Sequence, residues 1–277
     1  MAFGDTLIEL PEGHPLPYYK ARHPRYDRFL PHLCTHLEAS DMMVDVGANC
    51  GDTLAAIYSA NPSLKFVCIE ADQGFFELLA ANAKRITSKD PRASIELVLG
   101  FVGLGVGPAK LVGSAGTRHA VSDNSPTALT PESLDALLIR CGTSHPRLIK
   151  SDVDGFDYDV IGSAASLLTD PLPLLFFECQ FDDIQQRTGY DTLFVDLQNK
   201  GYVEFAIFDN FGNHLISTSS LQQLGQAFDY IGRQNQGQAT RTIYYYDILT
   251  YGENDIGLVT DVLARYNKVD FSAIRLG

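Results

Sequence analysis

The residues best suited to chemistry begin at Val44-Asp45-Val46-Gly47-Ala48-Asn49-Cys50-Gly51-Asp52-Thr53. An apolar strand-like run ends in glycine and a helix-like run opens at Thr53, the setting that a nucleotide-type glycine loop requires. Gly47 and Gly51 permit a tight turn and close approach of a ligand to the backbone, with Ala48, Asn49, Asp52 and Thr53 as candidate contacts beside them. Glu70 and Ala71 close the next apolar run, and Glu70 comes 19 residues after Gly51. A carboxylate there can accept two hydrogen bonds from ribose hydroxyls. Two ligands use such a layout, a dinucleotide and S-adenosylmethionine. A dinucleotide sets an anionic pyrophosphate on the helix N-terminus, but Asp52 stands at that terminus, Asp45 lies just before the turn, and the third glycine of G-x-G-x-x-G is missing. Those carboxylates suit S-adenosylmethionine, which carries a sulfonium and an ammonium against one carboxylate.

A second acidic cluster follows in Lys150-Ser151-Asp152-Val153-Asp154-Gly155-Phe156-Asp157. If the strand before it continues, Asp152 and Asp154 share a face, and Asp157 is placed to cap the next helix. Methyl transfer to a hydroxyl needs in-line approach and a base for the proton. Asp154 and Asp152 are the candidates for that work, and the pair is also a candidate holder of a divalent cation such as Mg²⁺. Glu178, which ends Leu174-Leu175-Phe176-Phe177, faces the same crevice as a candidate substrate contact. His119 is a further candidate base if its loop folds over the site, and His214 a further candidate on the substrate side. His32 and His36 stand four apart on a helix-like run, a spacing that can hold a metal, but with no third ligand nearby they read as a polar face. Tyr244, Tyr245 and Tyr246 read as strand packing with one ring free to line a pocket, and Cys50 as packing inside the loop.

The elements that must position these groups alternate. Strands are expected at Val44–Val46, Phe66–Ile69, Ile95–Leu99, Leu148–Ile149 and Leu174–Phe177, with helices over Thr53–Ser59, Phe75–Ile86 and Tyr158–Leu168 between them. Such alternation predicts an α/β fold, a doubly wound parallel sheet covered on both faces. Residues 1–24 read as an irregular lead-in and Arg25–Leu37 as a helix. Gly113–Pro131 reads as a long polar loop and candidate lid. Val203–Phe208 and Ile243–Leu249 read as a closing hairpin around Asp209–Asn213. The expected organisation is residues 1–40 as lead-in and residues 41–277 as a single catalytic domain.

With 34 acidic residues against 21 Lys and Arg, the formal charge is −13, which argues against nucleic acid and against an anionic membrane surface. A small molecule or neutral glycan fits better, and a homo-oligomer is compatible with the composition. Five dispersed cysteines point to a reducing cytoplasm rather than a disulfide framework. The start lacks an export-signal pattern, and no run is long enough for a membrane span.

Taken together, VDVGANCGDT, IEAD, LIKSDVDGFDYDVI and LLFFEC, with PESLDALL and YYYDIL, resemble the FkbM-type methyltransferases from about residue 40 to about residue 250. The resemblance implies a Rossmann-like class I methyltransferase fold, a seven-stranded sheet with the last strand antiparallel, and O-methylation of sugars or natural-product hydroxyls. It implies cofactor roles for Asp45, Gly47, Asn49, Asp52 and Glu70, and places Asp152 beside the methionine moiety and Phe101 near the adenine. The expected function is S-adenosylmethionine-dependent methyl transfer to a hydroxyl of a sugar, glycan or glycosylated metabolite. The competing readings are a nicotinamide-dependent oxidoreductase on a similar sheet and a non-catalytic cofactor-binding module.

Overall fold

A lead-in with little apolar periodicity nevertheless folds. In the computed structural model, which describes residues 1–105, 107–113, 119–143 and 145–271, β1 (Ala2–Phe3) and β2 (Thr6–Leu7) form a small antiparallel hairpin. Helices α1 (Leu16–Arg22) and α2 (Phe29–Cys34) follow. The expected helix over Arg25–Leu37 is thus much shorter, because Asp27 takes the left-handed conformation, φ 52°, and breaks the helical run before Phe29.

The expected alternation then appears as β3 (Met42–Val46), α3 (Asp52–Ala60), β4 (Lys65–Glu70), α4 (Gln73–Lys89) and β5 (Ser94–Leu99). A hairpin of β6 (Ala109–Val112) and β7 (His119–Ser122) comes next. Part of the segment expected as one polar loop is therefore strand, while residues 114–118 of it lie outside the described residues. The chain continues through α5 (Leu134–Arg140), β8 (Leu148–Ser151), α6 (Asp157–Gly162), β9 (Leu174–Cys179) and α7 (Ile184–Asn199). Last come β10 (Tyr202–Asp209), β11 (His214–Thr218), α8 (Leu221–Asn235), β12 (Tyr246–Gly252) and α9 (Ile256–Lys268). Side chains start four of the helices: Asp72, Ser133, Asp183 and Ser220 each accept a hydrogen bond from an N–H in the first turn, satisfying donors a helix leaves unpaired.

The main sheet has eight strands in the order β11-β10-β12-β9-β8-β3-β4-β5. The five from β5 to β9 are parallel, and β12 runs antiparallel to both β9 and β10. The antiparallel strand late in the chain was expected; the eighth strand, β11, was not. The Asp209–Asn213 turn closes β10 onto β11 rather than onto β12, which pairs with β10 only after the α8 excursion. Asp209 makes that turn self-sufficient by accepting from the Phe211 and Asn213 N–H groups.

Pleating sends alternate residues to opposite faces, and the core divides accordingly. Val44, Ile149, Phe177 and Ile207 pack with α5 to α8, whereas Met43, Leu148, Leu174 and Phe208 pack with α2, α3, α4 and α9. The result is three layers. From β3 the chain winds outward to β4 and β5, then returns to β8 on the other side, so a crevice opens at the carboxyl ends of β3 and β8. Among the described residues, no helix is long and apolar enough to cross a membrane.

The lead-in is fastened to this frame. Asn82, fully buried on α4, accepts from the Glu9 N–H and donates to the Glu9 and Cys50 carbonyls. Arg25 donates to the carbonyls of Tyr266 and Val269, and the Tyr266 hydroxyl donates to the Gly212 carbonyl. Asn82→Ala strands buried backbone groups on both Glu9 and Cys50, so it should cost about 2–3 kcal/mol. Urea unfolding should show a lower midpoint at unchanged slope, and hydrogen exchange should show the first dozen residues opening more readily than α7. An unchanged midpoint would remove Asn82 as the fastening.

Candidate active site

Glycine geometry builds the first wall. Gly47 has φ +76°, and a Cβ there would lie 2.0 Å from the Asp152 carbonyl oxygen. Only glycine lets the loop after β3 lie against the end of β8. Asn49 and Gly51 also take left-handed conformations, φ 50° and 83°, turning the loop into α3 with Asp52 as its first residue. Glu70 braces the loop: its Oε2 accepts from the Asn49 N–H at 2.7 Å and its Oε1 from the Asp72 N–H at 2.8 Å. Burial pushes the Glu70 carboxyl up, and the N–H groups of Asp72, Asn49 and Ala71 pull it back.

Behind the loop sits a lysine that sequence reasoning quoted but did not use. The Lys150 ammonium is 5% exposed and lies 2.9 Å from Asp45 Oδ1, 3.3 Å from the Gly47 carbonyl oxygen and 3.6 Å from Asp152 Oδ2. Burial would lower its pKa, but Asp45 and Asp152 outweigh burial and hold it protonated. Neither Asp45 oxygen meets a well-aligned hydrogen-bond donor; the Lys150 charge neutralises it. Burial raises Asp45 and Lys150 opposes the rise. Asp45 is 1% exposed and does not reach the cavity, so its work is to seat Lys150. Ala48 is likewise buried in the core with its N–H on the Ile69 carbonyl, and Gly51 shapes the turn. Neither lines the cavity, contrary to expectation.

The cavity itself, about 360 Å³, lies across the carboxyl ends of the parallel strands and is lined by Gly47, Asn49, Asp52, Thr53, Glu70, Ala71, Phe101, Asp152, Asp154 and Glu178. All of these were expected. Asp152 and Asp154 arrive there differently from the reading of a continued strand: β8 stops at Ser151, and the chain bends through Asp154, φ 54°, and Gly155, φ 91°. A non-glycine residue held at positive φ stores strain that surrounding structure must impose. Here that structure is Asp157, fully buried, which accepts from the Ser151 hydroxyl at 2.6 Å and the Val153 N–H at 3.2 Å. Asp157 therefore ties the turn rather than capping α6, whose N-cap Phe156 has no side-chain cap. Burial, reinforced by Asp152, pushes the Asp154 carboxyl to about 7. Burial also pushes Asp157 to about 7.

Other expectations fail or fall away. His214 does not line the cavity; its ring lies between Ser217 and Asn267 on the hairpin, 3.0 and 3.1 Å away. His119 begins β7, but its side chain is outside the described residues; Leu111 and Ala120 of the same hairpin do line the cavity. Among the described residues no group of three or more His, Cys, Asp or Glu is arranged to hold a metal ion, so Asp152 with Asp154 and His32 with His36 remain pairs without a third such ligand. Cys50 is fully buried, and burial pushes its thiol up, away from nucleophilic use.

The remaining walls come from the two ends of the chain, where only the Tyr244–Tyr246 run was expected to offer a ring to a pocket. The lead-in supplies His14, Tyr19, Lys20, Tyr26 and Asp27, and β12 with its approach supplies Tyr244, Tyr245 and Asp247. Tyr246 points into the core instead. Asp27 keeps 44% of its side-chain surface, yet that surface opens into the cavity, and Lys20 stands 4.0 Å away. Burial within these walls, against the pull of Lys20, raises its carboxyl to about 6.

Asp27, Asp154 and Asp157 thus hold protons to higher pH in the folded chain than in the unfolded one. Between the ordinary carboxylate range and about pH 7 the folded state binds more protons, so stability falls as pH rises. The ligand-free protein should melt higher at about pH 5.5 than at about pH 8, and Asp157→Asn should flatten the difference. A melting temperature that climbs across this window would contradict the assignment.

No family profile matches the sequence, and no curated protein does. Among solved structures, the chain is similar to the precorrin-6y C5,15-methyltransferase of Geobacter metallireducens, at 12% identity over 81% of this chain and 86% of that one, with a TM-score of 0.41. It is similar to the METTL16 MTase domain at 13% identity over 90% and 74%, with a TM-score of 0.48. It is also similar to methyltransferase FkbM of Methylobacillus flagellatus KT at 12% identity, TM-score 0.43, over 86% of this chain and 59% of that longer one. At such identities a likeness does not extend to the reaction, which must be read from the cavity.

Proposed function

We propose that the protein is an S-adenosylmethionine-dependent methyltransferase acting on a hydroxyl oxygen of a sugar, glycan or glycosylated metabolite, with residues 41–277 as the catalytic domain. The observation that carries the reading is the charge of the cavity. Asp27, Asp52, Glu70, Asp152, Asp154, Glu178 and Asp247 line it, against Lys20 and Lys150. A pyrophosphate would meet net repulsion there, with Asp52 at the start of α3 where a dinucleotide needs free N–H groups. A ligand bearing a sulfonium and an ammonium is complementary. Cytoplasmic action belongs to the same reading, and the five cysteines, all unpaired, fit it.

Glu70 presents its carboxylate to the cavity as the acceptor for ribose hydroxyls, and Phe101, beyond β5, lies on the side where a base would extend. Asp152, half exposed and 3.6 Å from Lys150, stands at the centre of the crevice beside the glycine loop. When bound, S-adenosylmethionine supplies an electrophilic methyl carbon on a positive sulfur. The chain's part is to fix the acceptor hydroxyl in line, exclude water and take its proton. Asp154 suits the last task, because a base with a pKa near the working pH combines availability with proton affinity.

Glu70→Ala removes the ribose acceptor and releases the Asn49 and Asp72 N–H groups. Charge-assisted hydrogen bonds contribute roughly 1.5–3 kcal/mol, so calorimetry should show affinity for S-adenosylhomocysteine down by about tenfold or more. Unchanged affinity would end the ribose assignment. In the parent, S-adenosylhomocysteine should raise the melting temperature and NAD should not; the opposite pattern would favour the oxidoreductase.

Asp154→Asn keeps the shape and removes the base. Turnover should fall by roughly 10²–10⁴, with cofactor affinity within about twofold. The base must be deprotonated, so parental kcat should rise with pH through about 7, and the variant should lose that inflection. Parental turnover in the variant would place the base elsewhere.

A further inference from the structure

Among the described residues, no cation of the chain pairs directly with either of two carboxylates in the cavity, although Lys150 pulls on Asp247 from a distance. Glu178 ends β9, and Asp247 lies directly opposite it in the antiparallel pairing with β12. Directly opposed residues share a face, with Cβ atoms about 5 Å apart, and both side chains line the cavity. Glu178 is 7% exposed, and its Oε1 is buried without a hydrogen-bond donor. Lys20 and Lys150 are the lysines of the lining, which contains no arginine among the described residues. Both are committed: Lys150 to Asp45 and Asp152, Lys20 to Asp27 and to the face of the Phe3 ring.

The position is as informative as the charge. Glu70 and the glycine loop occupy the β3–β4 side of the crevice, whereas Glu178 and Asp247 lie on the β9–β12 side, three and four strands from β4. At about 4.8 Å per strand, that is well clear of a ribose held on Glu70, with Asp154 after β8 between the two. The walls beside the carboxylates are the rings of Tyr26, Tyr244 and Tyr245, whose faces attract cations. Burial pushes the carboxyls of Glu178 and Asp247 well up, with Asp152 adding to both and Lys150 opposing the rise at Asp247, so the ionised pair is favoured when a counter-charge arrives.

We propose that this end of the cavity binds a protonated amine of the acceptor, which makes the acceptor an amine-bearing hydroxyl compound such as an aminated sugar. The proposal rests on the methyltransferase reading for what happens next. A neutral polyol could donate to Glu178 Oε1 but would leave two facing carboxylates without a counter-charge, whereas an ammonium donates to both and cancels the repulsion. The protonated amine has no lone pair, so it anchors and is not itself methylated. The new C–O bond forms at a neighbouring hydroxyl, its proton goes to Asp154, and the electrons of the broken S–C bond stay on sulfur.

The test uses the whole chain and two probes of similar shape, benzylammonium and benzyl alcohol, followed by calorimetry at about pH 7.5, where the amine is charged. Benzylammonium should bind at least tenfold more tightly than benzyl alcohol, and Glu178→Gln and Asp247→Asn should each erase roughly tenfold of its affinity. Glu178→Gln keeps the shape and removes a carboxyl whose ionisation burial opposes, so it should melt no lower than the parent, which separates lost binding from lost fold. Equal binding of the probes, no measurable binding of either, an effect absent from both variants, or a Glu178→Gln protein that melts lower than the parent would overturn the amine site. Titration of the parent with S-adenosylhomocysteine stands apart: if it fails while the amine preference holds, the methyltransferase reading falls and the amine site remains.

Discussion

A buried ammonium sits where the two halves of the sheet part. Lys150 rises from β8 between Asp45 of β3, the Gly47 carbonyl and Asp152, and every one of those groups would be in difficulty without it. Asp45 has no well-aligned donor, and an unpaired charge at that depth would cost several kcal/mol. The contact of Gly47 with the Asp152 carbonyl needs the two strand ends drawn together, and Lys150 touches both sides of it. The glycine loop, the start of α3 and the strained turn through Asp154 all follow from that join. Because Lys150 is matched by Asp45 and Asp152 together, it leaves the cavity negative overall, which is what separates a site for a cationic nucleoside from one for a pyrophosphate.

The turn after β8 extends the same logic outward. Asp157, held by the Ser151 hydroxyl and the Val153 N–H, keeps Asp154 at positive φ and in the cavity. A residue with no solvent exposure of its own thus sets the position of the group best placed to accept a proton. The acids here are not interchangeable: Asp45 seats a lysine, Asp157 ties a turn, Glu70 braces a loop, and Asp154 and Glu178 face the ligand space.

The centre of the fold was legible because its signals are local. Apolar runs ending in glycine or acid mark β3, β4, β8 and β9, and the glycine loop with Glu70 followed from spacing alone. Lys150 was legible too, but its signal was overlooked. A lysine inside Leu148-Ile149-Lys150, in a strand covered on both faces, must be buried and therefore paired. At the β9–β12 end of the cavity Glu178 and a tyrosine ring were legible, but the contribution of the lead-in was not. Tyr26 and Asp27 sit more than two hundred residues from Tyr245 and Asp247 in the chain, and tertiary contacts such as Arg25 on Tyr266, His23 on Phe211 and Phe29 on Phe208 bring them to one cavity. The reading of residues 203–249 as one hairpin failed because β-propensity identified the strands but not the α8 excursion between them. His214 follows a turn that does reach the cavity through Gly212, but it opens β11 and its ring turns to Ser217 and Asn267 instead.

The lead-in and β12 together build one wall of the cavity, while the loop, Glu70 and Lys150 come from the unbroken middle of the chain. This division matters for how such a protein can diversify. In the reading proposed above, residues near the two ends can be lengthened or exchanged to admit new acceptors, while the nucleoside cradle and the join of β3 to β8 are left untouched. Specificity becomes a property of the chain's margins, open to innovation at little risk to the reaction itself.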